Sequence, residues 1–208
     1  LFSACLFNSG QACFISSRIL APRNRYDEIV DFFAGLMNSA NVGDALDPDT
    51  EIGPMVSRHQ RDRVEGYIQQ GRAEGARLVV GGGRPAGVPG GWFVQPTLFA
   101  DVDRKSTIAQ QEIFGPVLSV LPYDTIDQAV EIANDSEFGL AGFVNGVDPA
   151  QCRAVARRLR TGWISVNGGF DFHAPFGGIK KSGNGREWGE YGFHEYLETK
   201  SILEPAAQ

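Results

Sequence analysis

The alternation of apolar and polar positions along this 208-residue chain first predicts two helices. Residues 24–42 carry apolar side chains at helical spacing, so an amphipathic helix is predicted there. Residues 57–74 are predicted to form a second helix, because Ser57 and Gln60 make a capping-box pattern and Gly75 can end the helix. The apolar face of the first helix is predicted to consist of Ile29, Phe32, Phe33, Leu36 and Met37.

Three stretches rich in β-branched and aromatic residues follow. Residues 77–80 form the first, and residues 92–99 form the second, in which Pro96 suits an edge position or a short break. Residues 117–121 form the third, and Pro122 bounds it. We therefore expect three short strands between positions 77 and 122.

Strand and helix patterns then alternate. Residues 125–134 predict a helix, 140–144 a strand, 149–162 a helix and 163–166 a short apolar strand. This order is typical of a mostly parallel sheet with helices on both faces, which predicts an α/β fold of the three-layer αβα type.

The end of the chain differs from the rest. Residues 193–203 are β-prone, follow a glycine-rich stretch and have no obvious partner strand, so they predict an extended β arm. We accordingly expect a main domain at residues 1–190 and an arm at residues 191–208.

Composition and charge narrow the function. The chain is 42% hydrophobic and 21% charged, which is typical of a folded domain. Its formal net charge of -6 argues against nucleic-acid binding, which usually needs a basic surplus. The sequence contains no apolar run long enough to span a bilayer, so no membrane partner is expected. No metal site is predicted.

The three cysteines, Cys5, Cys13 and Cys152, form no CxxC pair. Their odd number does not fit a closed disulfide framework and favours a reducing compartment, hence a cytoplasmic location. The sequence begins at Leu1 within an apolar segment, without the features of a signal peptide. That start favours a cut through a larger protein.

Cys13 is the candidate nucleophile. It lies in a small, polar, glycine-containing turn that leads into a more regular segment. If that segment is helical, its first amides and the positive end of its dipole favour the thiolate. The alternative is that Cys13 is a small buried apolar residue, as we expect for Cys5 and Cys152.

Three segments resemble motifs of the aldehyde dehydrogenase superfamily. Residues 8–13, NSGQAC, resemble its active-site cysteine motif, and residues 112–116, EIFGP, resemble its cofactor-ribose motif. Residues 175–187, PFGGIKKSGNGRE, resemble its glycine-rich signature. The three occur in the family's order and span nearly the whole chain, which identifies the chain as the cysteine-bearing half of such an enzyme.

The resemblance implies a covalent mechanism. Cys13 would attack an aldehyde to give a thiohemiacetal, which passes hydride to NAD or NADP, with NAD favoured, and becomes a thioester that water cleaves to the acid. The backbone N–H of Cys13 would hydrogen bond the oxyanion. The family's oxyanion Asn, its general-base Glu in an ELGGK-like motif and its nucleotide-binding domain do not occur in this sequence. We therefore expect the 208-residue chain alone to be inactive.

The resemblance also implies cofactor contacts. Glu112 would accept hydrogen bonds from the hydroxyls of the nicotinamide ribose, and Phe114 would pack against the same end of the cofactor. Gln60 and Arg63 match positions that reach the cofactor. The alternatives are a solvated loop carboxylate at Glu112, a core aromatic ring at Phe114 and a capping role for Gln60.

Four aromatic residues are candidates for the substrate pocket. Phe7 and Phe176 match positions that line the family's substrate tunnel, and Phe170 and Phe172 lie in the loop before Phe176. An aromatic wall would favour apolar or aromatic aldehydes over charged ones. The glycines of the signature are expected to allow tight turns rather than to bind phosphate, since no strand and helix frame them.

Two other functions remain open. A Cys-His thiol hydrolase would need an imidazole beside Cys13, from His59, His173 or His194. A non-catalytic assembly module would use residues 193–203, which resemble the tail with which members of this family pair across subunits. The assembly role can coexist with the dehydrogenase activity, and we expect a homo-oligomer through the arm, either a dimer or a tetramer.

Overall fold

A four-stranded sheet organises most of the chain. The computed structural model describes residues 2–88 and 90–205. In this sheet the strand order is β1-β4-β3-β2, with β1, β4 and β3 parallel and β2 antiparallel to β3. Two further strands, β5 and β6, form a separate parallel pair. The strand bounds are β1 Arg18–Pro22, β2 Arg77–Val80, β3 Thr97–Ala100, β4 Val117–Tyr123, β5 Ala141–Val144 and β6 Trp163–Val166.

Seven α-helices connect and cover the strands in the described ranges. Four of them have eight or more residues, and the remaining three are single short turns. The bounds are α1 Phe2–Leu6, α2 Tyr26–Asn38, α3 Arg58–Ala73, α4 Thr107–Gln110, α5 Ile126–Asn134, α6 Pro149–Ala156 and α7 Gly189–His194.

The two faces of the large sheet bury two different cores. On one face, Leu98 and Leu118 pack with α2, whose buried side chains include Val30 and Phe33. Phe99 and Val117 lie in the second core, which α3, α4 and α5 cover. Neighbouring residues of one strand point to opposite faces, so each strand contributes to both cores. The predicted three-layer αβα arrangement is confirmed.

Two capping residues predicted from the sequence mark the starts of helices in the structure. The Ser57 hydroxyl accepts a hydrogen bond from the N–H of Gln60 at 3.2 Å, and Thr125 caps α5 in the same way. Two predicted helices end early: α2 ends at Asn38 and α6 at Ala156. After α2 the chain turns into a bridge between Val42 and Ile52, which the helical periodicity could not reveal.

Two strands differ from the prediction. The chain after Cys13 forms the edge strand β1, which we did not predict as a strand. Of the predicted strand 92–99 only the last part is extended, in β3, since Pro96 has no N–H to donate. Strand β4 continues through Pro122, because β3 has already ended beside it.

The predicted arm is partly wrong in its secondary structure. Phe193 and His194 belong to α7, and residues 195–205 form no strand. The segment carries exposed apolar side chains, including Tyr196, Ile202 and Leu203. Across residues 2–88 and 90–205, no helix is long and apolar enough to cross a membrane.

Candidate active site

Cys13 lies on the surface, at the end of a loop that we call the cysteine loop, residues 7–13. The side chain of Cys13 is exposed, whereas Cys5 and Cys152 are buried. A turn and then β1 follow Cys13, so no helix starts at this residue and the helix-dipole argument does not apply. The exposure of Cys13 disagrees with the alternative of a buried apolar residue, and the helical segment on which the thiolate argument was conditional does not form.

The backbone of the cysteine loop is tightly fixed. Asn8 and Ser9 both adopt left-handed conformations, with φ of 50° and 58°. The hydroxyl of Ser9, which is buried, donates to the carbonyl of Gly53 at 3.1 Å and accepts from its N–H at 2.9 Å. The side-chain oxygen of Gln11 accepts from the N–H of Val56 at 2.9 Å. These bonds tie the loop to the segment before α3 and position Cys13.

The backbone N–H of Cys13 is available to a ligand. Among the residues that the structure describes, no acceptor takes this N–H in a hydrogen bond. A free backbone N–H beside an exposed thiol is an arrangement that can stabilise an oxyanion.

Residues 112–116, which we call the Glu112 loop, lie directly against the cysteine loop. Gly10, with φ of 76°, approaches the Gly115 carbonyl so closely that a Cβ atom on Gly10 would overlap it. The same Cβ atom would lie 2.7 Å from the nitrogen of Pro116. The two loops that carry Cys13 and Glu112 therefore share one side of the molecule and touch through backbone atoms.

Gln60 and Arg63 hold the Glu112 loop from α3. The Gln60 amide donates to the carbonyls of Ile113 at 3.1 Å and of Phe114 at 2.7 Å. The Arg63 guanidinium donates to the carbonyls of Ile113 and Glu112, both at 2.6 Å. Both side chains thus bond to the loop backbone, and the Gln60 side chain is engaged there rather than in a capping box.

Glu112 and Phe114 project from this loop. The Glu112 side chain is exposed, and its carboxylate forms no ion pair or hydrogen bond with any residue in the described ranges. Phe114 has a left-handed backbone conformation with φ of 59°, which is unusual for a bulky residue. Its side chain is 36% exposed. A free carboxylate and a partly exposed ring on a rigid loop fit a ribose and the adjoining ring of a dinucleotide.

An aromatic cluster extends from the cysteine loop. Phe14, directly after Cys13, lies 6.0 Å from Phe7 and 6.4 Å from Phe176, measured between ring centroids. Phe170 and Phe172 contact each other at 4.8 Å, edge to face. Trp163 and Trp188 join these pairs into one cluster, with contacts to Phe170 and Phe176.

Backbone contacts of the glycine-rich signature fix the position of Phe176 in the cluster. Phe176 and Glu187 exchange two backbone hydrogen bonds at 2.8 and 2.7 Å. The Arg186 guanidinium donates to the Gly178 carbonyl at 2.9 Å, and Gly162 lies against the backbone of Gly177. Within the signature, a Cβ atom on Gly177 would overlap the Gly185 carbonyl oxygen, so glycine is required where these backbone segments approach each other.

The three histidines do not pair with Cys13. Within residues 2–88 and 90–205 no hydrogen bond joins an imidazole to its sulfur. The His173 ring lies 3.0 Å from the Asp171 carboxylate, and His194 lies 3.7 Å from Glu190. These contacts weigh against the thiol hydrolase. The described residues also contain no group of three or more His, Cys, Asp or Glu side chains that could hold a metal ion.

The aromatic cluster contains the four candidates from the sequence and three further rings. Phe7, Phe170, Phe172 and Phe176 all belong to it. The further members, which were not candidates, are Phe14, Trp163 and Trp188. Phe14 directly follows the cysteine motif and Trp188 directly follows the glycine-rich signature, so their adjacency to these motifs was the available signal, whereas Trp163 had none.

The model of the aldehyde dehydrogenase family matches residues 1–202. This chain belongs to the aldehyde dehydrogenase family. A geranial dehydrogenase from Castellaniella defragrans is 54% identical over 198 residues, which are 95% of this chain and 41% of that protein.

Two solved structures of the family are also similar. A Mycobacterium tuberculosis aldehyde dehydrogenase complexed with NAD+ superposes with a TM-score of 0.95 at 51% identity, covering 100% of this chain and 43% of that one. An aldehyde dehydrogenase C mutant from Pseudomonas syringae, complexed with NAD+ and octanal, gives a TM-score of 0.95 at 45% identity, covering 99% and 43%. The chain thus spans about two fifths of the length of these family members.

Proposed function

We propose that this chain supplies the nucleophile and part of the cofactor site for the NAD(P)-dependent oxidation of an aldehyde to a carboxylic acid. The Cys13 sulfur attacks the aldehyde carbon to give a thiohemiacetal, and the Cys13 N–H donates to the oxyanion. Loss of hydride from that carbon leaves a thioester, which water cleaves to release the acid and the free thiol. NAD or NADP, when bound, accepts the hydride.

One observation carries this proposal: the contact between Gly10 and Gly115. Hydride transfer requires the nucleophile and the nicotinamide end of the cofactor to meet within a few ångströms. The close approach of the cysteine loop to the Glu112 loop puts the residues proposed for these two tasks on adjoining backbone segments. Had the loops lain on opposite faces of the sheet, this chemistry would be excluded.

Glu112 and Phe114 are the proposed cofactor contacts. The Glu112 carboxylate accepts hydrogen bonds only, which suits two ribose hydroxyls, and Phe114 packs beside it. We assign Gln60 and Arg63 the task of fixing this loop, and any direct contact of theirs with the cofactor remains a prediction. We favour NAD, which is the cofactor in the complexes of both structural relatives.

The proposed substrate class is an apolar aldehyde. Phe7, Phe170, Phe172 and Phe176 form part of one aromatic cluster that begins beside Cys13. Burial of a hydrocarbon chain against aromatic rings is favourable, whereas a carboxylate there would lose its hydration. The names of two relatives support the same class, since one is a geranial dehydrogenase and another was crystallised with octanal.

We also propose that residues 191–208 mediate a homo-oligomer, a dimer or a tetramer. Tyr196, Ile202 and Leu203 are between 76% and 92% exposed, and such an apolar surface gains by burial against another subunit. A cytoplasmic location fits three cysteines that are all free.

The test of the chemistry replaces Cys13 by Ala in the full-length protein. Aldehyde-dependent NADH production should fall by about 10³-fold or more, since the covalent route is lost. Cys152→Ala, which removes a buried thiol from α6, serves as the matched control and should keep activity. Mass spectrometry of the wild-type protein quenched during turnover should find an acyl group on Cys13. Retained activity in Cys13→Ala would refute the proposal.

The 208-residue chain expressed alone should produce no NADH from octanal and NAD. The oxyanion Asn and general-base Glu that the resemblance calls for are not in its sequence. Measurable turnover by this polypeptide would show that its own residues suffice.

A further inference from the structure

We propose that Trp188 is a specificity-determining residue, whose ring forms the outer wall of the aldehyde pocket and selects long, uncharged chains. This inference rests on the function proposed above. Neither the sequence motifs nor the comparisons assign Trp188 a role. It is a half-buried tryptophan directly before α7.

The ring of Trp188 contacts three of the four phenylalanines proposed for the pocket, Phe170, Phe172 and Phe176. It stacks on Phe176 with a centroid distance of 4.8 Å and an interplanar angle of 29°. It meets Phe172 at 5.2 Å and Phe170 at 5.9 Å, both edge to face. Trp188 therefore holds the exposed 170–172 loop against Phe176. Removal of its ring would remove the contacts to both the loop and Phe176.

The backbone of Trp188 is strained. Its φ of 66° and ψ of 156° fall in a region that residues other than glycine scarcely populate. Two neighbours impose this conformation: Glu187 pairs with Phe176 through two backbone hydrogen bonds, and Gly189 lies against the carbonyl of His173. A glycine would avoid the strain at this position. A large aromatic ring that is kept there despite the strain indicates that the ring itself is needed.

Ring contacts link the residue after Cys13 to Trp188. Phe14 follows Cys13 in sequence, the Phe176 ring lies 6.4 Å from the Phe14 ring, and the Trp188 ring lies 4.8 Å from the Phe176 ring. In this proposal, the alkyl chain of an aldehyde bonded to Cys13 runs along these rings, and its distal carbons contact Trp188. Short aldehydes then end before Trp188.

Charge in this part of the molecule favours neutral substrates. Asp171, between the two phenylalanines of the loop, accepts hydrogen bonds from the backbone N–H and the ring of His173 at 2.8 and 3.0 Å. Its carboxylate is thus held at its own loop, where it adds a negative charge beside the two rings. With aromatic rings on the remaining wall, a neutral alkyl chain is the best fit.

The experiment measures kcat/KM of the full-length protein for n-alkanals from propanal to decanal. In the wild type, each methylene that reaches the wall should raise kcat/KM by about fourfold. Trp188→Leu should lower the octanal-to-propanal ratio by about tenfold or more, mainly through a higher KM for octanal. Trp188→Gly removes the ring without adding backbone strain and should lower the same ratio.

Two further variants separate the pocket from general damage. Trp188→Phe retains an aromatic wall and should keep the octanal-to-propanal ratio of kcat/KM within about threefold of wild type. Trp92→Leu is the matched control, because Trp92 is also half-buried but contacts Arg58 and Arg61 away from the cluster, and its ratio should be unchanged.

The outcomes distinguish the two proposals. A wild-type protein that oxidises none of these aldehydes would refute the proposed function. An active wild type whose ratio survives both Trp188→Leu and Trp188→Gly would refute only the role of Trp188. The same conclusion would follow if Trp92→Leu lowered the ratio equally, or if Trp188→Phe lowered it as much as Trp188→Leu does.

Discussion

Substitution of Gly10 by Ala tests the contact on which the proposed function depends. Gly10 has φ of 76°, where an alanine costs about 1–2 kcal/mol. Its Cβ atom would overlap the Gly115 carbonyl and lie 2.7 Å from the Pro116 nitrogen, nearer than real Cβ contacts come. Backbone atoms cannot rotate away as a flexible side chain can, so overpacking adds about 1–3 kcal/mol.

The cysteine loop and the Glu112 loop would have to part by about 1 Å, and a misplacement of that size typically costs about 10²-fold in rate. We therefore expect Gly10→Ala to lower kcat/KM for octanal by about two orders of magnitude in the full-length protein. The same substitution should lower the free energy of unfolding by about 2–5 kcal/mol, measured with denaturant.

Gly75→Ala provides the matched control. Gly75 also has a positive φ, of 88°, but no atom lies within 4 Å of the position of a Cβ there. This variant should lose only the backbone term of about 1–2 kcal/mol and should keep its activity. If Gly10→Ala proved as active as Gly75→Ala, the contact between the two loops would not position the reacting groups, and the reasoning would fail.

Two predictions concern the core that supports the site. The Tyr26 hydroxyl, which is buried, donates to the Val120 carbonyl at 3.0 Å and accepts from the Asp101 N–H at 2.6 Å, so Tyr26→Phe should cost about 2–4 kcal/mol in urea unfolding; a loss below about 0.5 kcal/mol would contradict this accounting. Burial raises the pKa of the Cys5 thiol to about 11 from 9.0, so the folded state keeps its proton longer than the unfolded state. Stability should therefore fall between pH 9 and pH 11, by up to about 2 kcal/mol, and Cys5→Ala should remove that part of the slope. An identical pH dependence in Cys5→Ala would contradict the assignment.

The sequence determined the elements with strong local signals. Ser57 and Thr125 are capping residues, and both helices start where these caps stand. Alternating strand and helix patterns gave the α/β class because a parallel sheet needs a crossover between its strands. Three motifs in order gave the family, and with it Cys13 and Glu112 as candidates.

Only the tertiary structure decided how distant segments meet. The chain after Cys13 is a strand because β4 pairs with it about 100 positions away, and no local pattern contains that partner. In the same way, the sequence does not show what Gln60 and Arg63 bind. Their side chains donate to the backbone of the Glu112 loop only because that loop packs against α3. Trp188 contacts Phe170 and Phe176 because the glycine-rich signature folds back and pairs Glu187 with Phe176.

The physical reason is the range of the forces involved. Caps, turns and hydrophobic periodicity act within a few residues, so the sequence reports them directly. Contacts such as Gly10 with Gly115 depend on how two buried cores place their loops, and that placement is a property of the whole packed chain.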